Sequence, residues 1–481
     1  MPKYNINILR KVGTKIKVIT STESNWAYEE FKDIVTNCKR TTKRLIKSLM
    51  TLSKKPQESI AGASQNKAEA KAIYRLLNNK KIAEENVMAT HKIQTIKRIE
   101  ESKEKVILSI QDTSEINYTG LKATIGLGSY GGCEHSKGLI VHSTIAVTPN
   151  GIVKGLLDQK IWAREMSERG KRNERAKKNI ENKESNKWLE SMEKSNKDIP
   201  ENIKVINICD REGDIYEFFN KAVQQNKLFL VRATHNRKIS ENEKLFDKVN
   251  NERVLGEVTV AIPRDTRKKT KKREAILELK YVEIEIPIPL KKKKFIPEKS
   301  PIKLTVILAK EINPSKDIEP IKWYLITNLE ISNVDDVFEK IKWYVQRWKI
   351  ERFHYILKSG CKIEELQEKT AEKLKKLILI YSIIALRILW ITYLAREFPE
   401  ISCIEILEEE EWKVLYCIAN KTTSLPLIPP ILKDAVMYIA KLGGFLGRKG
   451  DGDPGAKVIW RGLKELNVVI THRKYLNFTS S

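Results

Sequence analysis

At 481 residues the chain is too long for one ordinary core, so two or three domains are expected. A formal charge of +27 and an isoelectric point near 9.6 call for a polyanionic partner, either nucleic acid or an anionic membrane surface. Six scattered cysteines with no C-x-x-C pair argue against a zinc site and for reduced thiols. "MPKYNINILRKVGTKIKV" never becomes continuously apolar, so no signal peptide is expected. Together these readings favour a cytoplasmic nucleic-acid protein with no membrane role.

Residues 1–100 are predicted to be mostly helical, with helical apolar spacing in "NWAYEEFKDIVTNCKRTTKRLIKSLMTLSKK" and again in "NKAEAKAIYRLLNN". They hold 21 Lys and Arg against 9 Asp and Glu. Arg40, Lys43, Arg44 and Lys47 recur at helical spacing, as on a helix lying along phosphates. A solvated basic face is the plainer alternative.

Strands then dominate. "KVILSIQDTSEINYTG" reads as a short buried strand ending in Asp112, and "GLIVHSTIAVTPNGIVKGLLDQKIWAR" as a hairpin turning at Pro149-Asn150-Gly151. A charged helical stretch over roughly 162–197 is expected next. "IKVINICDREGDIYEFFNKAVQQNKLFLVRAT" reads as strand, helix, strand, with Asp210 closing the first strand. Four alternating segments follow, "RVLGEVTVAIP", "REAILELKYVEIEIPIP", "IKLTVILAKEI" and "IKWYLITNL", predicted as antiparallel strands with basic tips at 267–273 and 291–294.

From "ISNVDDVFEK" onward the chain is predicted to be mainly helical. "WYVQRWKIERFHYILKSG" reads as one continuous helix. "LKKLILIYSIIALRILWITYLA" is interrupted by Arg387 and reads as a buried amphipathic helix, not a membrane span. "AVMYIAKLGGFLG" and "VIWRGLKELNVVI" carry apolar faces suited to an interface between subunits, with packing inside one subunit as the alternative.

Asp112 and Asp210 share a context, each delivered by an apolar strand to the edge where open α/β sheets bind ligands. Either one alone is more often a turn or cap residue. Glu351 changes the balance, because three acids on rigid elements of a basic protein suit two Mg²⁺ ions about 4 Å apart, the arrangement used for phosphodiester chemistry. Tyr344, Arg347, Glu351 and Lys358 lie at helical offsets 0, 3, 7 and 14, within one narrow stripe at about 100° per residue. On that stripe Glu351 would complete the metal site while Tyr344, Arg347 and Lys358 hold phosphates. A salt bridge from Glu351 to Arg347 or Lys358 is the competing explanation. "GLGSYG" at 126–131 precedes a strand and so is not a dinucleotide fingerprint, "GRKGDGDPG" lacks a P-loop ending, and "CEH" at 133–135 has no second ligand pair.

The pattern Y-x₂-R-x₃-E-x₆-K resembles the signature of the cut-and-paste DDE transposases of bacterial insertion sequences, the group typified by the Tn-five transposase. "IQDTSEINY", "VINICDREGDIYEF" and "YVQRWKIERFHYILKSG" resemble its three catalytic blocks, in order. "AEAKAIYRLL", "INPSKDIEPIKWYLITN" and "YIAKLGGFLGRKGDGDPGAKVIWRGLKEL" extend the likeness over nearly the whole chain. The resemblance implies an α/β fold with an RNase H-like catalytic core over 101–380, carrying a β-rich insertion at about 236–330. It implies a helical DNA-binding domain at 1–100 and a C-terminal helical dimerisation region at 381–481. Asp112, Asp210 and Glu351 would be the catalytic acids and the ligands of two Mg²⁺ ions, with Mn²⁺ as a substitute. Tyr344, Arg347, Lys358 and Arg232 would hold DNA phosphates, and Trp323 would receive an unstacked base. The partners implied are double-stranded DNA, both terminal inverted repeats and target, and a second copy of the chain on that DNA, in the nucleoid of a bacterium. A nuclease or resolvase that cuts without joining, and a silent DNA-binding protein, are the rival classes.

Overall fold

The computed structural model describes residues 26–473, apart from 37, 132–134, 166–177, 263–272, 293–294, 297–299 and 315–317. The segment read for a signal peptide, most of "CEH" and much of both basic tips therefore lie outside the described residues.

The described chain opens with helices α1 (Trp26–Phe31), α2 (Lys39–Lys54), α3 (Ile60–Ala63), α4 (Lys67–Leu77) and α5 (Glu84–Glu101). On α2, Leu45, Leu49 and Leu52 recur at three- and four-residue steps and are fully buried, while Arg40, Lys43, Arg44 and Lys47 are all exposed. Asn66 caps α4 by accepting from the backbone of Glu69 at 3.0 Å. These helices do not stand apart. Leu45, Leu49 and Leu76 belong to one hydrophobic cluster with Ile110 of the sheet and Leu377 of a later helix. A buried ionic seam adds to this contact: Glu30 accepts from His91 at 2.5 Å and Arg98 at 2.9 Å, and Arg98 also bonds the carbonyl of Lys154. Burial alone would raise the Glu30 pKa, but Arg98 and His91 outweigh it and bring it down to about 2.

One mixed sheet follows, built from β1 (Val106–Asn117), β2 (Gly128–Ser129), β3 (Lys137–Val147), β4 (Val153–Trp162), β5 (Lys204–Cys209), β6 (Leu228–Arg232), β7 (Gly256–Ile262), β8 (Arg273–Ile286), β9 (Ile302–Glu311) and β10 (Lys322–Thr327). From β3 the order runs β3-β1-β5-β6-β10-β9-β8-β7, with β2 and β4 also on β3. β1–β5 and β5–β6 are parallel, and the other pairs are antiparallel. Parallel neighbours need crossovers, which α6 (Asn186–Asn196) and α7 (Tyr216–Gln224) supply. The β-rich segment read at 236–330, with α8 (Leu245–Asn251), continues the same sheet through β10 and β6. Side chains alternate as a pleat requires: Trp323 and Leu325 enter one cluster, Tyr324 and Ile326 the other.

The remainder is helical: α9 (Val334–Val345), α10 (Trp348–Tyr355), a wide turn Ile356–Gly360, α11 (Ala371–Glu397), α12 (Glu409–Asn420), α13 (Leu432–Leu442) and α14 (Ala456–Arg473). Asn333 and Asp336 start α9 with reciprocal capping bonds.

Five sequence expectations are corrected. β1 does not end at Asp112 but runs on to Asn117, because β3 pairs with it antiparallel over its whole second half. The charged stretch 162–197 is not one helix; β4 reaches Trp162, and only Asn186–Asn196 is an α-helix among the described residues. The helix read as continuous from Trp343 to Gly360 is broken at Gln346–Arg347, where Lys349 and Ile350 bond three residues back at 2.9 and 3.2 Å, and it widens where Cys361 bonds five back to Ile356 at 2.8 Å. α11 is long and apolar enough to cross a membrane, yet 83% of its apolar window is inside the fold, and it is buried around its circumference rather than on one face. Finally, α13 and α14 turn most of their apolar faces on each other and on α11, in a cluster that includes Val436, Ile439, Ile459 and Leu466, while Val469 of α14 and Leu446 beyond α13 stay exposed.

Candidate active site

Parallel register brings the two aspartates together. Ile110 on β1 is paired with Ile208 on β5, so Asp112 and Asp210 each stand two residues beyond a matched pair on adjacent strands. β5 ends at Cys209 while β1 continues, which opens the sheet on that side of Asp112. One oxygen of Asp112 accepts from Thr113 N at 2.8 Å, and one of Asp210 from Glu212 N at 2.8 Å, capping the turn Arg211–Gly213. The cap role considered for Asp210 is thus real and uses one of its two oxygens.

Burial, and after it the charge of Asp210, pushes the Asp112 carboxyl up to about 7. Asp210 is also raised, by burial first, while its bond from Glu212 and the charge of Arg347 oppose the shift. Two carboxylates that resist joint ionisation form a cation-seeking pair.

Glu351 on α10 is the third acid near this pair, close enough for its charge to raise Asp112. Its Oε1 accepts from Arg347 Nη2 at 2.5 Å. Among the described residues no three His, Cys, Asp or Glu side chains converge to hold one ion as they stand; Glu351 is bonded to Arg347 instead. Burial opposes the charge of Arg347, but Tyr344, Glu351 and Asp112 together raise its pKa. Its Nε has no hydrogen-bond partner, and its guanidinium lies 6.0 Å over the Tyr344 ring.

Tyr344 is only 3% exposed, its hydroxyl lying against Arg347 and Arg232 without a well-formed hydrogen bond. Arg232 closes β6 and bonds the carbonyl of Lys322 at 3.3 Å; burial lowers its pKa. Trp323 packs edge-on against Tyr344, with ring centroids 5.4 Å apart, and is 6% exposed. Tyr324 faces the other way and stacks on Phe246. Asp112, Asp210, Glu351, Arg347, Tyr344, Arg232 and Trp323 therefore form one neighbourhood. Lys358 does not join it directly. The wide turn carries Lys358 along β1, where it donates to the Glu115 carbonyl and lies 3.5 Å from Glu364. Arg40, Lys43, Arg44 and Lys47 form their own exposed stripe on α2.

The sequence reading missed a polar row beneath Asp112. Register pairs Asp112 with Ser143 on β3, and Ser143 with Gln159 on β4. Gln159 donates to Ser143 and to Ser382 of α11, both at 3.0 Å. His354 closes the row from α10, with Nδ1 3.7 Å from Asp112 and Nε2 3.4 Å from Ser143 Oγ. Burial brings its pKa down to about 3, so the imidazole is neutral. The available signal was its place one helical turn after Glu351.

Residues 23–82 match the family described as Transposase DNA-binding, and residues 383–481 match the one described as Transposase Tn5 dimerisation domain. Both matches support a transposase. They also support DNA as a partner and dimer formation, and such families imply an enzyme that cleaves and transfers DNA. The cryo-EM structure of a piggyBac transposase synaptic complex with hairpin DNA aligns over 98% of this chain and 78% of that chain, at 9% identity and a TM-score of 0.36. That likeness is too low to bear on the fold.

Proposed function

We propose that the chain is a DDE transposase of the hairpin-forming, cut-and-paste group, with an RNase H-like core and Asp112, Asp210 and Glu351 as its catalytic acids. The observation that carries this reading is the Ile110–Ile208 register, which sets two mutually repelling aspartates side by side beneath the helix that bears Glu351. Counting only the long strands, Asp112 lies on the first and Asp210 directly after the fourth, as an RNase H-like core requires.

The donor set suits hard cations: three carboxylates, two of them held by backbone N–H groups and raised in pKa. Two Mg²⁺ ions, or Mn²⁺ in their place, would be held by Asp112, Asp210 and Glu351 and would activate the attacking oxygen and stabilise the leaving one. Arg347 Nε and the Tyr344 hydroxyl, both buried without a bonded partner, would take phosphate oxygens, and Arg232 the neighbouring phosphate. Lys358 would steady DNA along β1. Trp323 would stack a base unpaired by the sharp bend of a hairpin. The reaction would run as nicking, attack of the freed 3′-OH on the opposite strand, hairpin opening by water, and joining of the 3′-OH to target DNA. The α2 stripe would grip the inverted repeats of the insertion sequence.

The test is a labelled fragment of the DNA flanking the gene, incubated with the chain and Mg²⁺ and resolved on a denaturing gel. Nicked, hairpin and joined products are expected; nicks alone would favour the nuclease.

A further inference from the structure

The polar row beneath Asp112 has a direction, and one bond inside α11 sets it. Ser382 is fully buried, and its hydroxyl donates back to the Ile378 carbonyl at 2.8 Å. With that hydrogen taken, Ser382 Oγ accepts, so the Gln159 side chain 3.0 Å away must present a donor. Gln159 therefore turns its amide nitrogen into the row rather than its oxygen. The same nitrogen donates to Ser143 Oγ, also at 3.0 Å. This leaves the Ser143 hydrogen free to point at His354 Nε2, 3.4 Å away. A neutral imidazole that accepts at Nε2 carries its proton on Nδ1, and Nδ1 faces Asp112 Oδ2 at 3.7 Å.

Packing alone does not explain this row. Turned this way, Gln159 leaves its Oε1 buried without a hydrogen-bond partner. An orphaned buried oxygen costs about 1–3 kcal/mol, and an apolar side chain would fill the same space without that loss. What the row delivers is a neutral donor at the one Asp112 oxygen that the backbone does not hold. Thr113 N bonds Oδ1 at 2.8 Å, and His354 faces Oδ2. A carboxylate held from both oxygens has its plane fixed, and each oxygen keeps a lone pair for a cation. A lysine in the place of His354 would also hold Oδ2, but its charge would repel that cation. At 3.7 Å the last contact is longer than a formed hydrogen bond, and contacts of this kind tighten when the reacting complex assembles.

We propose that His354 is a positioning residue for Asp112: its Nδ1–H closes on Oδ2 and fixes the carboxylate for cation binding, while Ser143, Gln159 and Ser382 lock the imidazole in the tautomer that can donate. The role rests on the reading of Asp112 as a cation ligand. Removing such an outer partner of a ligand typically weakens metal affinity roughly 10–100-fold.

Two measurements on the full chain test it. In the first, with no metal added, the histidines carry a nitrogen-15 label, and His354 is picked out of the six by the signal missing in His354→Asn. Wild type should show His354 protonated at Nδ1 and bare at Nε2, and Ser143→Ala should move the proton to Nε2. An Nε2 proton in wild type, or a tautomer indifferent to Ser143→Ala, overturns the proposal. In the second, Mn²⁺ affinity is read by electron paramagnetic resonance on the chain bound to a fragment carrying one end. The amide nitrogen of Asn sits near the place of Nδ1, and that of Gln near the place of Nε2. His354→Asn should therefore bind Mn²⁺ close to wild type, and His354→Gln roughly 10–100-fold more weakly. Equal affinities in the two variants, or the reverse order, mean that His354 only fills the core, which overturns the proposal and leaves the three acids standing. A wild-type chain that binds no Mn²⁺ overturns the cation reading of those acids, and this role with it.

Discussion

Arg347 donates to Glu351 across 2.5 Å, and the charge of the same guanidinium opposes the upward pKa shifts that burial gives Asp112 and Asp210. One cation thus balances three acids. Arg347→Ala should destabilise the fold by about 2 kcal/mol, between the values for surface and buried pairs. Millimolar Mg²⁺ should then restore much of the unfolding midpoint by binding the uncompensated acids, and should not do so when Asp112→Asn is added. Thermal melts with and without Mg²⁺ decide it; an Mg²⁺-independent melt in Arg347→Ala would argue against a cation site.

The raised Asp112 pKa makes a pH prediction with a definite sign. Between its ordinary value of 3.8 and about 7, the folded chain keeps a proton that the unfolded chain has lost. Stability should therefore fall as pH rises through that window. Asp112→Asn removes this slope and should gain on the order of 2 kcal/mol at pH 7.5 in the absence of metal, read from urea unfolding at several pH values.

Much of the fold was legible because its signals are local. Period-two runs marked the long strands, and the leucine spacing of α2 against its basic residues marked that helix. What escaped was set by partners distant in sequence. Nothing near Asp112 says that β3 pairs past it, so local pattern ends the strand five residues early. Regular 3.6 spacing cannot show the tight turn at Arg347 or the wide one at 356–360, so it puts Lys358 on a stripe that Lys358 leaves. Ser143 and Gln159 are ordinary strand residues until register lines them up with Asp112. The faces of α13 and α14 are apolar for a reason sequence alone does not settle, and the fold uses most of each internally.

The α2 stripe gives a binding prediction that spares the core. Replacing Arg40, Lys43, Arg44 and Lys47 together by Gln should leave the unfolding midpoint in place, because all four are exposed. End binding should weaken strongly, and the slope of log affinity against log salt should drop by about 3–4 if each meets one phosphate. Fluorescence anisotropy at several salt concentrations measures both; an unchanged slope would make the stripe a solvated face.

Trp323 has a role in the core, so its test needs two variants. Trp323→Ala removes packing against Tyr344 and should cost about 3–5 kcal/mol. Trp323→Phe keeps most of that packing with a smaller stacking face. In Trp323→Phe first-strand nicking should remain near wild type while hairpin formation falls severalfold. Equal loss of both steps would mean that Trp323 only supports the fold.

The central claim is that Asp112, Asp210 and Glu351 together cut DNA. Its most direct test is the first nick at a labelled end in Mg²⁺, measured for Asp112→Ala, Asp210→Ala and Glu351→Ala beside gel-shift controls for end binding. Each variant is expected to bind the end and to leave it uncut, since loss of any ligand misplaces both the attacking and the leaving oxygen. Robust nicking by any one of the three would contradict the assignment.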